Sequence, residues 1–241
     1  MRNYRIFSYI IISIILGAGI FYLSERMNKE EHMMQKEPID KIAGALTEAG
    51  YSGLFLSGEH SLADTVWQGG ENQHFLEQIV QSSHYSDLTR LLASEVLYTK
   101  ASGYPPKRWE DTLAYLYSQA LAITGDTTGT FQLSGNLWGF MYHTDKPGVN
   151  DYGVLGAHLV EIGLKAVPYL TRLLDNPDTF FYEGSQEATL GNSLGYRVKD
   201  AAAYYISKVT GIPVKFYQQT AERDAEIERL KATLEKREQH E

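Results

Sequence analysis

The chain has 241 residues, 43% hydrophobic and 22% charged, a composition typical of a globular protein and not of a disordered one. Its net charge is −8, and Arg2 and Arg5 precede the first hydrophobic segment, so the rest carries −8 − 2 = −10. This balance argues against nucleic acid or an anionic lipid surface as a partner, because both require clustered Lys and Arg. The absence of cysteine excludes disulfides, thiolate metal sites and thiol catalysis.

The first predicted element is a transmembrane helix at residues 6–24, a run without any charged side chain. At 1.5 Å per residue, such a run is close to the length needed to cross ~30 Å of hydrocarbon. The small residues Gly17–Gly19 resemble a signal-peptidase site, but the apolar run continues after them, which favours an uncleaved signal-anchor. We therefore predict a single-pass membrane protein, anchored through residues 1–24. Its soluble domain is expected on the non-cytoplasmic side, which is the periplasm or cell surface in a bacterium.

Residues 25–37 are polar and predict a juxtamembrane linker, and residues 38–241 form the predicted helical domain. Within this domain, apolar residues recur at spacings of three and four, and Gly, Pro and Ser mark the ends of the runs. The pattern predicts helices at residues 39–49, 62–67, 75–80, 88–97, 109–123, 154–162, 166–174, 198–209 and 220–237. No strand pattern of any length competes, so the predicted fold class is all-α.

Two stretches, residues 126–151 and 176–195, have no clear period and are predicted as long loops. Loops of this length in a compact domain are often functional. The first is too rich in apolar side chains to remain in water, so we expect it to be ordered. Binding residues are predicted in both loops: Trp138, Tyr142, His143, Tyr182 and Glu183.

Two segments resemble the paired helices of a HEAT-type repeat. Gly163–Asp175 is similar to the first helix, in which a proline (here Pro168) bends the first turn. Arg197–Ile206, with its Val-x-Asp-Ala-Ala sequence, is similar to the second. The resemblance covers residues 163–211, and it departs from the family in the insert of residues 176–195 and in the lack of a second clear copy.

The HEAT resemblance implies a helix stack, either a HEAT-like α-solenoid or an irregular helical bundle, that binds other proteins. It implies a structural role for Asp200 and implies no chemistry. We expect no cofactor and no metal.

Three groups of side chains could carry chemistry. His143 could act as a base or metal ligand with Asp145 or Asp151, although its spacing matches no known signature. The other two groups are His158 with Glu161, three apart on a helix, and Glu183 with Glu187 in the second loop. For both, a structural role is the favoured interpretation, such as an exposed pair or a Glu that pairs with Arg197.

The expected function is a membrane-anchored, non-catalytic protein-binding or scaffold domain at the cell envelope, with an envelope protein as its partner. The aromatic loops around Trp138 and Tyr182 are predicted to form an exposed binding edge. One alternative is an envelope enzyme, hydrolase-like, with a carboxylate and His site in the loops 126–151 and 176–195. Another is an inhibitor or immunity-type protein, which would share the binding mechanism.

Overall fold

The computed structural model describes residues 37–56, 58, 61–124, 133–139, 141, 152–184 and 186–239. The predicted membrane helix at residues 6–24 lies outside the described residues, as do Tyr142 and His143. Among the helices that the structure describes, none combines the length and the hydropathy needed to cross a bilayer.

The described chain is helical, and each helix predicted from the apolar period is present. The helices are α1 (residues 37–51), α2 (Leu62–Trp67), α3 (Gln73–Gln81), α4 (Asp87–Lys100), α5 (Glu110–Ala122), α6 (Val154–Ile162), α7 (Val167–Arg172), α8 (Gln186–Ser193), α9 (Val198–Thr210) and α10 (Thr220–Glu238). A π-helical turn (Ser52–Leu56) extends α1, and the described part of the chain contains no strand, only an isolated bridge between Thr179 and Arg197. The prediction of an all-α fold is confirmed.

Local sequence signals set several helix ends. Ser86 caps α4, because its Oγ accepts a hydrogen bond of 3.1 Å from the Thr89 amide. Pro168 lies in the first turn of α7, where a missing N–H costs no helical hydrogen bond. Gly211 ends α9 with φ of 71°, a conformation that glycine adopts without steric cost. Gly, Pro and Ser are the residue types that mark the helix ends in the sequence.

The helices pack in sequence, α3 on α4, α4 on α5 and α5 on α6, while α9 lies against α6, α7 and α10. The helix α9 is deeply buried, since every side chain from Asp200 to Ile206 is buried. Its small residues Ala201–Ala203 let the neighbouring helices approach closely. This central position explains why residues 201–206 are all hydrophobic.

The insert of residues 176–195 differs from the predicted loop, since it contains the helix α8. The sequence of α8, QEATLGNS, has no apolar stripe, so its period could not predict a helix. Contacts with the rest of the chain determine it instead: Ala188 is buried, and Gly191 lies directly against the ring of Tyr182.

A buried carboxylate, Asp200, joins the start of α9 to α10. Its oxygens accept hydrogen bonds from the backbone amide of Arg197 at 2.9 Å and from the guanidinium of the same residue at 2.9 and 3.0 Å. The Arg223 guanidinium of α10, which is also buried, lies 3.8 Å from Asp200. Arg223 in turn donates to the carbonyls of Leu194 and Gly195, so the network fixes the end of the insert as well.

Replacing Asp200 by alanine is expected to lower the free energy of unfolding by about 3–5 kcal/mol, because it leaves Arg223 buried without a carboxylate. Asp175→Ala is the control, since that carboxylate is exposed and its ion-pair partner among the described residues is Lys231. Its expected cost is within about 1 kcal/mol. Urea unfolding of the full-length protein measures both. Equal losses for the two variants would contradict the structural role of Asp200.

Candidate functional site

Two of the residues predicted at an exposed binding edge are in the core. Trp138 is 1% exposed and Tyr182 is fully buried, so the prediction that their rings form an exposed edge is wrong. The Trp138 indole N–H donates a hydrogen bond of 2.7 Å to Thr124 Oγ1. The backbone carbonyl of Trp138 accepts a hydrogen bond from the Tyr205 hydroxyl. An indole with its N–H satisfied is readily buried, and sequence pattern does not distinguish this case from an exposed ring.

The backbone around Tyr182, at residues 180–183, lies outside the helices and is held by two asparagine side chains. The Asn192 amide donates to the Tyr182 carbonyl at 2.7 Å and accepts from its N–H at 2.8 Å. The Asn136 side chain binds the next residue in the same way. Its amide N–H donates to the Glu183 carbonyl at 2.9 Å, and its amide oxygen accepts from the Glu183 N–H at 2.8 Å. Two consecutive residues therefore have both backbone groups satisfied by side chains.

Burial alternates along this segment, so successive side chains face the core and the solvent in turn. Phe180 and Tyr182 point into the core, whereas Phe181 is 42% exposed and Glu183 is exposed. Leu190 of the adjacent α8 is 58% exposed. We call Phe181, Glu183 and Leu190 the rim. Of the predicted binding residues, only Glu183 belongs to it.

A second group of polar side chains surrounds Glu95 of α4, which is 1% exposed. The hydroxyl of Tyr117, from α5, donates to Glu95 Oε1. His158 Nδ1, from α6, lies 2.8 Å from the same oxygen. Tyr51, at the end of α1, faces the carboxylate from a third direction and hydrogen-bonds to it. Three neighbouring helices thus each contribute a side chain to one buried carboxylate of α4.

The imidazole of His158 is held at its edge by Glu95 and on its face by the ring of Tyr98. Its ring is stacked on that of Tyr98, with centroids 3.7 Å apart and planes 8° from parallel. The side chain is 18% exposed, so it is not fully enclosed by the helices. The sequence paired His158 with Glu161, but the structure pairs it with Glu95, and Glu161 is exposed one turn further along α6.

The other predicted chemical groups do not form a described site. His143, Asp145 and Asp151 lie outside the described residues, as does the side chain of Glu187. Glu183 is exposed on the rim. Over the part of the chain that the structure describes, no three His, Asp or Glu side chains are arranged to hold a metal ion.

Burial and the charge of Glu95 raise the pKa of the surrounding phenols. For Tyr51 and Tyr98, burial is the largest cause of a raised pKa, and the negative charge of Glu95 adds to it. The same causes, in the same order, raise the pKa of Tyr117 well above 10.0. These phenols remain hydrogen-bond donors throughout the neutral and mildly alkaline range.

Comparison with known proteins assigns no family: no family model, no curated protein and no solved structure matches the chain.

Substitution of Gly191 tests how tightly α8 is held against Tyr182. A Cβ on Gly191 would lie 2.7 Å from the Tyr182 ring, so Gly191→Ala is expected to reduce stability by about 1–3 kcal/mol. Gly44→Ala is the matched control, since Gly44 is also helical but has nothing within 4 Å of an added Cβ. It should stabilise by up to about 1 kcal/mol. Chemical unfolding measures both changes in stability, which are expected to have opposite signs. A stabilising Gly191→Ala would contradict the packing.

The raised tyrosine pKa values predict a loss of stability at high pH. Tyr51, Tyr98 and Tyr117 have pKa values above 10.0 in the folded protein, so the unfolded chain loses these protons first as pH rises. The stability that these three phenols contribute is fully present below about pH 10. It decreases as the pH rises from there towards the pKa values of the folded protein. The near-ultraviolet absorbance of phenolate, titrated in buffer and in urea, measures this. Coincident titration curves in the two solvents would contradict the buried phenol cluster.

Proposed function

We propose that the chain is a membrane-anchored, partner-binding domain at the cell envelope, and that the rim of Phe181, Glu183 and Leu190 is its contact surface. The observation that carries the proposal is the combination of exposed apolar side chains with a backbone fixed by Asn136 and Asn192. Exposed apolar residues need no explanation when they occur singly. The proposal therefore depends on Phe181 being held on a fixed backbone, with Leu190 exposed on the helix that follows.

The rigidity of this segment favours binding in energetic terms. A loop that must be ordered during association loses conformational entropy, which reduces the affinity of the complex. Here the carbonyl and N–H of Tyr182 and Glu183 are already bound, so Phe181 is presented without further ordering of the backbone. A half-exposed aromatic ring on such a backbone is suited to fill a pocket of the partner.

The charge of the domain indicates the kind of partner. The chain after Arg5 carries −10, and Glu183 and Asp178 are both exposed on the insert. A protein surface with an apolar pocket surrounded by Lys and Arg would complement it, and opposite charge accelerates association. We therefore propose a basic envelope protein as the partner.

The resemblance to a HEAT-type repeat supports the same proposal. The two helices that carry it, α7 and α9, pack against each other, and Asp200 has the structural role that the resemblance implies. In this proposal the insert of residues 176–195 is an elaboration between the paired helices, and the rim lies on it. The predicted anchor at residues 6–24 would hold the domain at the non-cytoplasmic face of the membrane.

Removing the two apolar side chains of the rim tests the proposal. Phe181→Ala with Leu190→Ala is expected to reduce recovery of the partner by tenfold or more, as for a pair of anchor residues worth about 1–2 kcal/mol each. The measurement is an affinity pull-down of full-length protein from gently solubilised native membranes, with quantitative mass spectrometry of the proteins recovered.

Leu164→Ala is the matched control, because Leu164 is an exposed leucine (68%) that lies outside the rim. It should leave recovery of the partner unchanged. A partner that is retained by the double variant at wild-type levels would contradict the rim as the contact surface. A monomer without any stoichiometric partner would contradict the binding function itself.

A further inference from the structure

We propose that a groove between α1 and the end of α2 binds a small amphipathic carboxylate, a molecule with one carboxylate group on a short apolar body. In this site the Lys41 ammonium pairs with the carboxylate, and apolar side chains contact the body. The groove is formed by other elements than the rim, so the proposal does not depend on partner binding.

The groove has the size and the lining of a small-molecule site. Its volume is about 390 Å³. Ligand sites in proteins commonly enclose about 300–1,000 Å³ and are mostly apolar, with a few polar groups that orient the ligand. The residues that line this groove fit that description: Pro38, Lys41, Ile42, Ala45, Thr65, Val66, Gln68 and Asn72. A volume near the lower limit favours a short apolar body.

Lys41 gives the groove a local positive charge. Among the described residues that line it, Lys41 is the one charged side chain. It makes no ion pair or hydrogen bond with the described residues, because the nearest acids in sequence on α1 and α2 have other partners. Asp40 accepts a hydrogen bond of 2.8 Å from Tyr85, and Asp64 lies 2.6 Å from the ammonium of Lys100. The Lys41 ammonium is therefore available to an anion.

Gln68 lines the groove in a backbone conformation that usually belongs to glycine. It ends α2 with φ of 49° and ψ of 51°, and it is the one residue other than glycine with positive φ in the described chain. Such outliers often occur at binding sites, where a particular side chain is needed at a position that glycine would occupy without cost. Here the retained side chain is an amide at the groove.

Asn72 fixes the orientation of that amide. Its Nδ2 donates to Gln68 Oε1 at 3.2 Å and to the Val66 carbonyl at 2.8 Å. The oxygen of the Gln68 amide is thus occupied, whereas its Nε2 makes no hydrogen bond with the described residues. The hydroxyl of Thr65, which also lines the groove, has no such bond either. Two neutral donors therefore accompany the ammonium of Lys41.

These donors select a carboxylate over other head groups. A carboxylate carries a single charge and only accepts hydrogen bonds, so it matches one ammonium and the neutral donors of Thr65 and Gln68. A phosphate with nearly two charges requires more cations, and the net charge of −8 disfavours it further. A neutral head group would leave Lys41 without a counter-charge.

The test is binding of 3-phenylpropanoate to the full-length protein in nonionic detergent, measured by ligand-observed NMR with protein-free micelles as the blank. A saturable dissociation constant on the order of 1 mM is expected for a ligand of this size. The isosteric 3-phenylpropanamide, which lacks the charge, should bind about fivefold more weakly, the order of one partly exposed ion pair. Absence of saturable binding would overturn the site, and equal binding of the amide would overturn the role of the carboxylate.

Paired variants locate the binding in the groove. Ala45→Phe places a ring in the groove and should abolish binding, whereas Gly44→Phe, at the adjacent position of α1 that does not line the groove, should not. Lys41→Gln should weaken binding of the carboxylate about fivefold. Lys107→Gln, which removes an exposed lysine elsewhere, should leave it unchanged. Thermal unfolding of each variant establishes that the fold is retained. Wild-type affinity in Ala45→Phe would overturn the proposal.

Gln68→Gly tests the amide separately, because glycine keeps the backbone conformation and removes the side chain. It should weaken binding about threefold, as for the loss of one hydrogen bond. Unchanged affinity in a stably folded Gln68→Gly would contradict the role of Gln68 at the groove.

Discussion

The folded chain depends on placing carboxylates inside a helical core. An ion loses its hydration when it is buried, and the loss costs several kcal/mol unless hydrogen bonds and opposite charge replace the water. Asp200 meets this requirement at the start of α9 with Arg197 and Arg223. Glu95 meets it in α4 with donors from α1, α5 and α6. Each carboxylate therefore specifies how its neighbouring helices are placed, in addition to the non-directional packing of their apolar faces.

The surplus of tyrosine is explained by the same requirement. The chain has 17 Tyr against 9 Phe, and buried phenols include Tyr117, Tyr182 and Tyr205. A phenylalanine would fill a similar volume, but only a phenol can also donate a hydrogen bond to a buried acceptor. Tyr117 does so to Glu95, and Tyr205 to the Trp138 carbonyl. Part of the abundance of tyrosine therefore belongs to the core.

The helices could be predicted from sequence because each has its own apolar period, but the site could not. Glu95 and His158 are 63 residues apart, and no spacing rule connects them. Before the fold is known, a glutamate on an otherwise apolar helix face has no signal that reveals its partner. The one available hint was that Glu95 interrupts a run of buried positions on α4, and that hint indicates burial without indicating function.

The insert was unpredictable for a different reason. Burial alternates along residues 180–183, so the prediction required knowing which of the alternate side chains face inward. Tyr182 was chosen for the edge and is buried, while Phe181 beside it is exposed. Which side chains face inward depends on Asn136 and Asn192, which are remote from each other in sequence but bind adjacent residues of the insert. An alternating pattern over so few residues cannot reveal the contacts that Asn136 and Asn192 make.

The two buried carboxylates differ in a way that bears on function. Asp200 lies beside the guanidinium groups of Arg197 and Arg223, which remain charged at any pH the protein encounters, so its charge is compensated permanently. Glu95 has no Lys or Arg partner in the described structure, and its only basic neighbour is His158. A purely structural position of this kind could be filled by an apolar residue at little cost or with a gain in stability. Glu95 is held instead by directional hydrogen bonds from two phenols and by the imidazole of His158, which makes its environment more sensitive to how α1, α5 and α6 are placed around it.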